Sequence, residues 1–175
     1  MVTIRKTPLG GRFELDQVIA HLDVLANAVL GFAAIANGTT AGRLKTTAAA
    51  DFRVDGQVYS KAATDDQWSF AAEVALGAGV YRAYWLFVDA AGVASIQGGT
   101  AASQATAALA LADLPYPPAT KSVFGAFVAG PSTVFTNALS AQGTIYHGVP
   151  AGASRTAGPP GYSAGISEYI TLINP

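Results

Sequence analysis

Few side chains in this 175-residue chain have the chemistry to catalyse a reaction or hold a metal ion, and they do not group together. The chain has no cysteine and two histidines, His21 and His147, which are not spaced as metal ligands. Both histidines are predicted to be solvated. Asp65 and Asp66 lack the alternating acidic ladder and the closing glutamate of a calcium loop, so they are interpreted as a turn.

Familiar catalytic motifs are also missing from the sequence. No G-x-S-x-G elbow occurs, and Gly10-Gly11 and Gly98-Gly99 lack the lysine and hydroxyl residue of a phosphate-binding loop. One aromatic set suits a sugar-binding groove, although its strand-like spacing favours a core. It comprises Trp68, Phe70, Tyr81, Tyr84, Trp85 and Phe87. The sequence therefore predicts a protein that is not an enzyme, with no catalytic residue, cofactor or metal.

The composition indicates a surface that is poor in charge. Charged residues make up 12% of the chain, against about 25% in ordinary soluble domains, and the formal net charge is −1. Such a chain has no basic field for nucleic acid, and we expect neither a signal peptide nor a membrane span. A basic cluster of Arg5, Lys6 and Arg12 either docks on an acidic protein surface or is a solvated terminus.

Three regions are distinguished along the chain. Residues 1–12 contain a proline and a Gly-Gly pair, and they are predicted to form an extended arm. Residues 13–37 carry apolar side chains at three-and-four spacing and end at Asn37-Gly38, which predicts an amphipathic helix. Residues 38–175 are predicted to form a β-sandwich domain, whose apolar tail at residues 166–173 packs into the sheet or onto a neighbour.

Short runs with strand-like alternation predict about eight antiparallel strands in this domain. They occupy residues 43–47, 51–54, 57–61, 67–72, 80–89, 93–98, 121–129 and 133–136. Asp55-Gly56 and residues 90–92 predict hairpin turns. Residues 100–114 suit either a short helix or an ordered crossover, and residues 137–165 are predicted to form a long Gly/Pro-rich surface loop. The predicted fold is mainly β, an antiparallel β-sandwich or jelly roll.

The run VYRAYWLFVD at residues 80–89 is apolar on both sides of a strand. Because side chains alternate across a sheet, Tyr81 and Trp85 lie on one face and Tyr84 lies on the other. Each face needs a cover, which is the second layer of the sandwich on one side and a helix or another subunit on the other. The three aromatic residues are therefore predicted to form the core or a subunit contact.

Four segments, in this order, resemble a family of structural proteins of tailed bacteriophages, the head decoration or cement proteins. They are residues 45–70, residues 79–96, residues 114–130 (LPYPPATKSVFGAFVAG) and the segment around Phe135. The resemblance implies small β-sandwich or jelly-roll subunits on the outer surface of the phage head, where they bridge neighbouring major capsid protein subunits. A symmetric homo-oligomer is expected too, and a threefold cluster suits a capsid lattice.

The role expected of such a subunit is mechanical, in the virion, with no nucleic-acid or membrane partner. We hypothesise that its contacts with the capsid or with other copies use Arg5, Lys6, Arg12, Tyr81, Tyr84, Trp85, Ile166 and Tyr169. Two alternatives stay open at this point. One is a tail, fibre or baseplate component that acts in host attachment, and the other is a carbohydrate-binding module built on the same sandwich.

Overall fold

The computed structural model describes residues 27–30, 34–115 and 117–147. Within these residues it contains nine β-strands, one α-helix and one 3₁₀ turn. The strands are β1 (Ile35–Asn37), β2 (Arg43–Thr46), β3 (Ala50–Val54), β4 (Gln57–Lys61), β5 (Trp68–Ser69), β6 (Arg82–Asp89), β7 (Ala94–Gly98), β8 (Lys121–Ala129) and β9 (Gly143–His147). The helix α1 spans Ala107–Ala112, and the 3₁₀ turn spans Leu139–Ala141. None of the helical segments in these ranges is long and apolar enough to cross a membrane.

The strands form three antiparallel sheets that pack as two layers around a main core. The first layer is a four-stranded sheet in the order β7-β6-β8-β9, and the second combines the sheet β1-β2-β5 with the β3-β4 hairpin. Both layers contribute large side chains to the core, including Leu44, Phe52, Trp68, Tyr84, Leu86, Val88, Phe124 and Phe127. The predicted mainly β, sandwich-like fold is confirmed.

Strand β6 is central in the first layer and is buried on both faces, as its sequence predicts. Tyr84 faces the main core, whereas Ala83 packs against α1 on the opposite face. The indole N–H of Trp85 donates a hydrogen bond of 2.9 Å to the carbonyl oxygen of Pro115, just beyond the helix. A helix of the same chain, together with the residues that follow it, therefore covers the second face of β6.

Residues 100–114 contain the short helix α1, which was one of the two alternatives predicted for them, the other being an ordered crossover. Thr106 caps its N-terminus, since the hydroxyl oxygen accepts a hydrogen bond of 3.2 Å from the backbone N–H of Leu109. Ala110 and Leu111 are the buried residues of the helix, and they pack against β6 and β8. A helix of 6 residues is too short to be stable alone. Its packing against the first layer therefore stabilises it.

The two predicted hairpin turns are present. Asp55 and Gly56 have φ angles of 51° and 73°, the pair of left-handed residues that a type I′ turn requires. Val54 and Gln57 pair directly across this turn, so the β3-β4 hairpin has a two-residue loop. The other predicted turn, residues 90–92, lies between β6 and β7.

The helix predicted for residues 13–37 is wrong where the structure describes that segment. Val29 forms an antiparallel bridge with Phe52, the residue before it bridges β8, and β1 occupies the last three positions. Val29 is 3% exposed, so this segment closes the core between the layers. Pairing with strands of both layers satisfies its backbone groups and overrides the helical spacing. Residues 1–26, including the predicted arm, lie outside the described residues.

Two predictions near the C-terminal side also need correction. Residues 133–136 lie in a turn after β8 and do not form the predicted strand. The predicted loop over residues 137–165 contains the 3₁₀ turn and β9 in its described part. Strand β9 forms because β8 offers a partner along its length, which outweighs the weak strand propensity of its glycine-rich surroundings. Residues 148–175 lie outside the described residues.

Candidate interaction surface

The aromatic residues predicted to form the core or a contact are mostly core residues. Tyr84 is fully buried and Trp85 is 4% exposed, so neither side chain is available to a second subunit. Tyr81 is half-buried on the α1 side of β6. The other five predicted contact residues lie outside the described part of the chain, and they are Arg5, Lys6, Arg12, Ile166 and Tyr169.

His147 is not the solvated loop residue that the sequence predicts. It is the last residue of β9, and its Nδ1 accepts a hydrogen bond of 3.0 Å from the backbone N–H of Ile35. The imidazole therefore joins the first layer to β1 of the second. Across residues 27–30, 34–115 and 117–147, no group of three or more acidic or histidine side chains is placed to hold a metal ion. His21 lies outside these ranges.

Asp65 and Asp66 form the predicted turn and hold a second turn beside it. The backbone N–H of Thr39 donates to Asp65 over 3.1 Å and its hydroxyl donates to the other carboxylate oxygen. The N–H of Thr40 donates to Asp66 over 2.9 Å. The bond from the Thr39 hydroxyl is the main cause that holds the pKa of Asp65 below its ordinary value of 3.8. Both carboxylates thus bind groups of the protein itself.

A polar cluster lies where β6 begins. The Nη1 atom of Arg82 is 3.2 Å from Oε2 of Glu73, and the hydroxyl of Tyr84 donates to the same oxygen over 2.9 Å. Burial first, and then the Glu73 carboxylate, raise the pKa of Tyr84 above its ordinary value of 10.0. A tyrosine that acts as a base or nucleophile needs a lowered pKa instead. Because Arg82 and Tyr84 of β6 both bind Glu73, the cluster ties the loop before β6 to the strand.

Asp113 ties the end of α1 to the segment after β7. Its carboxylate accepts hydrogen bonds from the hydroxyl of Thr100 over 2.5 Å and from the backbone N–H of Ala101 over 2.8 Å. These bonds, with the Thr100 hydroxyl as the larger cause, hold the pKa of Asp113 below its ordinary value of 3.8.

Replacement of Asp113 by asparagine is expected to lower stability at neutral pH and to have no effect in strong acid. Because the folded-state pKa lies below the unfolded one, the carboxylate stabilises the fold above pH 3.8, and this contribution disappears as the pH falls through the folded-state pKa. Urea unfolding of both proteins at descending pH measures the difference. Asp55→Asn, at an exposed carboxylate in the β3-β4 turn where asparagine is equally suited, is the control. A difference that persists unchanged into strong acid contradicts the expectation.

Five of the six aromatic residues that suit a sugar-binding groove are buried inside the protein, and Tyr81 is half-buried. Trp68, Phe70 and Phe87 are fully buried, like Tyr84, and the indole N–H of Trp68 donates to the carbonyl oxygen of Phe87 over 3.0 Å. Stacking against a sugar requires an accessible ring face. The buried rings have none, so their role is to fill the core.

An uncharged, apolar surface lies at the end of the sandwich where β6 begins and β8 ends. Residues 74–80, with the sequence VALGAGV, and residues 132–134 form this apolar loop surface. Val74 is 79% exposed and Val134 is 42% exposed. Exposed apolar side chains that group on one loop surface are typical of a site that binds another protein.

Two backbone hydrogen bonds join the loops of this surface. The N–H of Leu76 donates to the carbonyl oxygen of Thr133 over 2.9 Å, and the N–H of Ser132 donates to that of Gly77 over 3.0 Å. Thr133 is itself fully buried. The two loops therefore form a single surface with a defined backbone.

Aromatic rings support the apolar loop surface from below. Phe70 precedes the first loop and Phe135 follows the second, and their rings stack with centroids 5.8 Å apart. Phe70 also meets Tyr84 at 5.2 Å and Phe127 at 5.3 Å between ring centroids. Because the two loops share this aromatic cluster, the core positions the surface.

The two charged residues that flank residues 74–80 in the sequence form an ion pair with each other. Glu73 precedes residues 74–80 and pairs with Arg82, which follows them. The apolar loop surface was not predicted from the sequence. The signal was a run of seven residues without a polar side chain, Val74 to Val80, which starts after one predicted strand and ends at the first residue of the next.

Comparisons with known proteins identify no relative. No family model, no curated protein and no solved structure matches the chain.

Proposed function

We propose that this protein is a structural virion protein, a decoration or cement subunit that binds the outer surface of a bacteriophage head. There it bridges major capsid protein subunits and stabilises the shell. The resemblance of four sequence segments to that family supports this proposal. The apolar loop surface is the observation in the structure that carries it, with Val74 79% exposed at its edge.

The physical chemistry of the apolar loop surface supports a permanent protein partner. Removal of one valine side chain from water contributes about 1.5–3 kcal/mol. Residues 74–80 carry no charge, so no ionic group must lose its water on contact. The Phe70–Phe135 stack already orders both loops, which limits the entropy lost on binding. Many copies bound to one shell then stabilise it by mass action.

The polar side chains support a mechanical role. The carboxylates of Glu73, Asp65, Asp66 and Asp113 each accept hydrogen bonds from the protein itself. Tyr84 is held in its neutral form beside Glu73. Such groups join loops to each other, to the end of α1 and to β6, which suits a subunit with a mechanical role.

The location of the subunit in the particle is the direct test. We expect cryo-electron microscopy of the intact virion to place this chain in density that repeats over the icosahedral shell. Density confined to the tail, fibre or baseplate would overturn the proposal in favour of host attachment. Specific binding of glycans on an array by the pure protein would favour a carbohydrate-binding module.

Replacement of Val74 by aspartate is expected to reduce the occupancy of the subunit on heads. The new carboxylate would have to lose its water at the contact, which costs more than the lost apolar burial alone. Binding of purified variant to heads that lack the subunit, measured by co-sedimentation, checks this. Leu109→Asp, at a residue of α1 that is 51% exposed, is the matched control and should bind as wild type does. Equal binding of both variants would exclude the apolar loop surface as the contact.

A further inference from the structure

Among the described strands, β4 pairs only with β3, so it has one paired edge and one open edge. Val54 and Gln57 flank a two-residue turn, so they form a hydrogen-bonded pair, and such pairs alternate along the β3-β4 hairpin. By this alternation, the backbone N–H and C=O groups of Val58 and Ser60 point away from β3. They form the open edge.

The hydrogen bonds of β3 agree with this assignment. The N–H of Arg53 donates to the carbonyl oxygen of Ala28 over 2.8 Å, and the carbonyl oxygen of Asp51 accepts from the N–H of Leu30 over 2.8 Å. Asp51 and Arg53 thus use their backbone groups on the side opposite β4. The backbone groups of their partners across the hairpin, Ser60 and Val58, must therefore point away from β3.

The open edge of β4 is unprotected. Within the described part of the chain, no hydrogen bond reaches the backbone groups of Val58 or Ser60. The strand contains no proline, its register with β3 has no bulge, and Lys61 directs its amine to the carbonyl oxygen of Gly92 over 2.7 Å. Val58 is 59% exposed. Proline, a bulge or a projecting lysine is what commonly prevents strand pairing at an edge.

We propose that β4 pairs antiparallel with β4 of a second copy of this chain, about a twofold axis that passes beside Tyr59. Val58 of each copy then lies opposite Ser60 of the other, and these two pairs exchange their outward N–H and C=O groups. The hairpins join into one four-stranded sheet. On its inner face, Tyr59 already stacks on Phe52 with centroids 5.7 Å apart, and it meets its symmetry mate, so an aromatic row crosses the interface.

The charges on the outer face fit this register. Arg53 lies beside Val58 and Asp51 lies beside Ser60 on the adjacent strand. With the axis at Tyr59, each row across the joined sheet has Arg53 at one end and Asp51 of the other copy at the opposite end. Their Cα atoms are about 14 Å apart, three steps of about 4.8 Å, a gap that the long arginine side chain shortens. An axis at Val58 or Ser60 would instead place like charges at both ends of a row.

The first test removes the donor at the open edge. Ser60→Pro eliminates the N–H that pairs across the interface, and no group in the described part of the chain accepts a hydrogen bond from it. We expect the dissociation constant of the dimer, measured by sedimentation equilibrium on the full chain, to rise by about tenfold or more because two hydrogen bonds are lost. Ser60→Thr keeps the N–H and is the matched control, with wild-type association. A wild-type chain that stays monomeric, or equal association by wild type and Ser60→Pro, overturns the proposal.

A charge exchange tests the register independently of proline. At an ionic strength of about 0.01 M, where the screening length is about 30 Å, Arg53→Asp places two acidic side chains in each row and should weaken the dimer, whereas the double variant with Asp51→Arg restores opposite charges and should recover it. No recovery would exclude the axis at Tyr59. Concentration-dependent slowing of amide exchange at Val58 and Ser60 should accompany dimerisation. Both assays use the isolated protein, so their outcome is separate from the proposed binding to the head.

Discussion

Replacement of Phe70 by alanine is expected to destabilise the protein by about 3–5 kcal/mol, the range for removal of a large buried ring. Phe70 is fully buried, and it contacts the rings of Tyr84, Phe127 and Phe135. Its loss leaves a cavity in the middle of these rings, and Tyr84 and Phe127 are held in the neighbouring strands β6 and β8, which limits how far the site can collapse. Because a domain has only about 5–15 kcal/mol of total stability, this is a large fraction.

Urea unfolding at equilibrium, followed by tryptophan fluorescence, measures this change. Val74→Ala is the control, because its side chain is 79% exposed and a substitution there is expected to change stability by less than about 0.5 kcal/mol. A loss below about 1 kcal/mol for Phe70→Ala would contradict tight packing of the cluster. Since Phe70 and Phe135 flank the two loops, the folded fraction of Phe70→Ala should also bind heads less well than wild type, if the apolar loop surface is the contact.

The parts of the fold that the sequence predicts are those with strong local signals. The Asp55-Gly56 turn is one, since its residue types match the φ angles of 51° and 73°. Strand β6 is another. Its eight residues carry large apolar groups on both sides of the strand, a pattern typical of a buried central strand. In both cases the information lies within a few neighbouring residues.

The segment before β1 was not predictable in this way. Its apolar residues follow helical spacing, yet Val29 pairs with Phe52 and the preceding residue pairs with β8. These partners lie far away in sequence, and single-chain periodicity contains no information about them. The same reason applies to β9, whose Ile145 and Tyr146 were recognised as strand-like while the rest of the strand depends on its pairing with β8.

The candidate surfaces were likewise predictable from the sequence only in part. The sequence predicts that both faces of β6 are covered, but only the structure shows that Leu114 and Pro115, just after α1, contact Trp85, so this aromatic residue is not free for a neighbour. Residues 74–80, in contrast, were not predicted to form a binding surface, because a run without periodicity indicates neither a helix nor a strand. Their exposure becomes meaningful only once the Phe70–Phe135 stack shows that the loop is held in place.

Replacement of Gly42 by alanine is expected to destabilise the protein by about 3 kcal/mol or more, from two additive causes. Gly42 has a φ of 73°, a left-handed conformation that costs a residue with a Cβ about 1–2 kcal/mol. A Cβ there would also lie 1.9 Å from the carbonyl oxygen of Phe135, closer than atoms can approach. The backbone must therefore move, although Gly42 is bonded through its N–H to Asn137 and through its carbonyl oxygen to Phe70.

Gly56→Ala separates the two causes, because Gly56 has the same φ of 73° and a Cβ there meets nothing within 4 Å. Its cost should be the conformational part alone, about 1–2 kcal/mol, and the excess in Gly42→Ala measures the overlap with Phe135. If both variants lose the same free energy of unfolding, the segment around Phe135 moves away from the new Cβ at no cost in stability. A large excess would mean that β2 and the Phe135 loop are locked together. It would follow that the apolar loop surface rests on a support that cannot shift without loss of the fold.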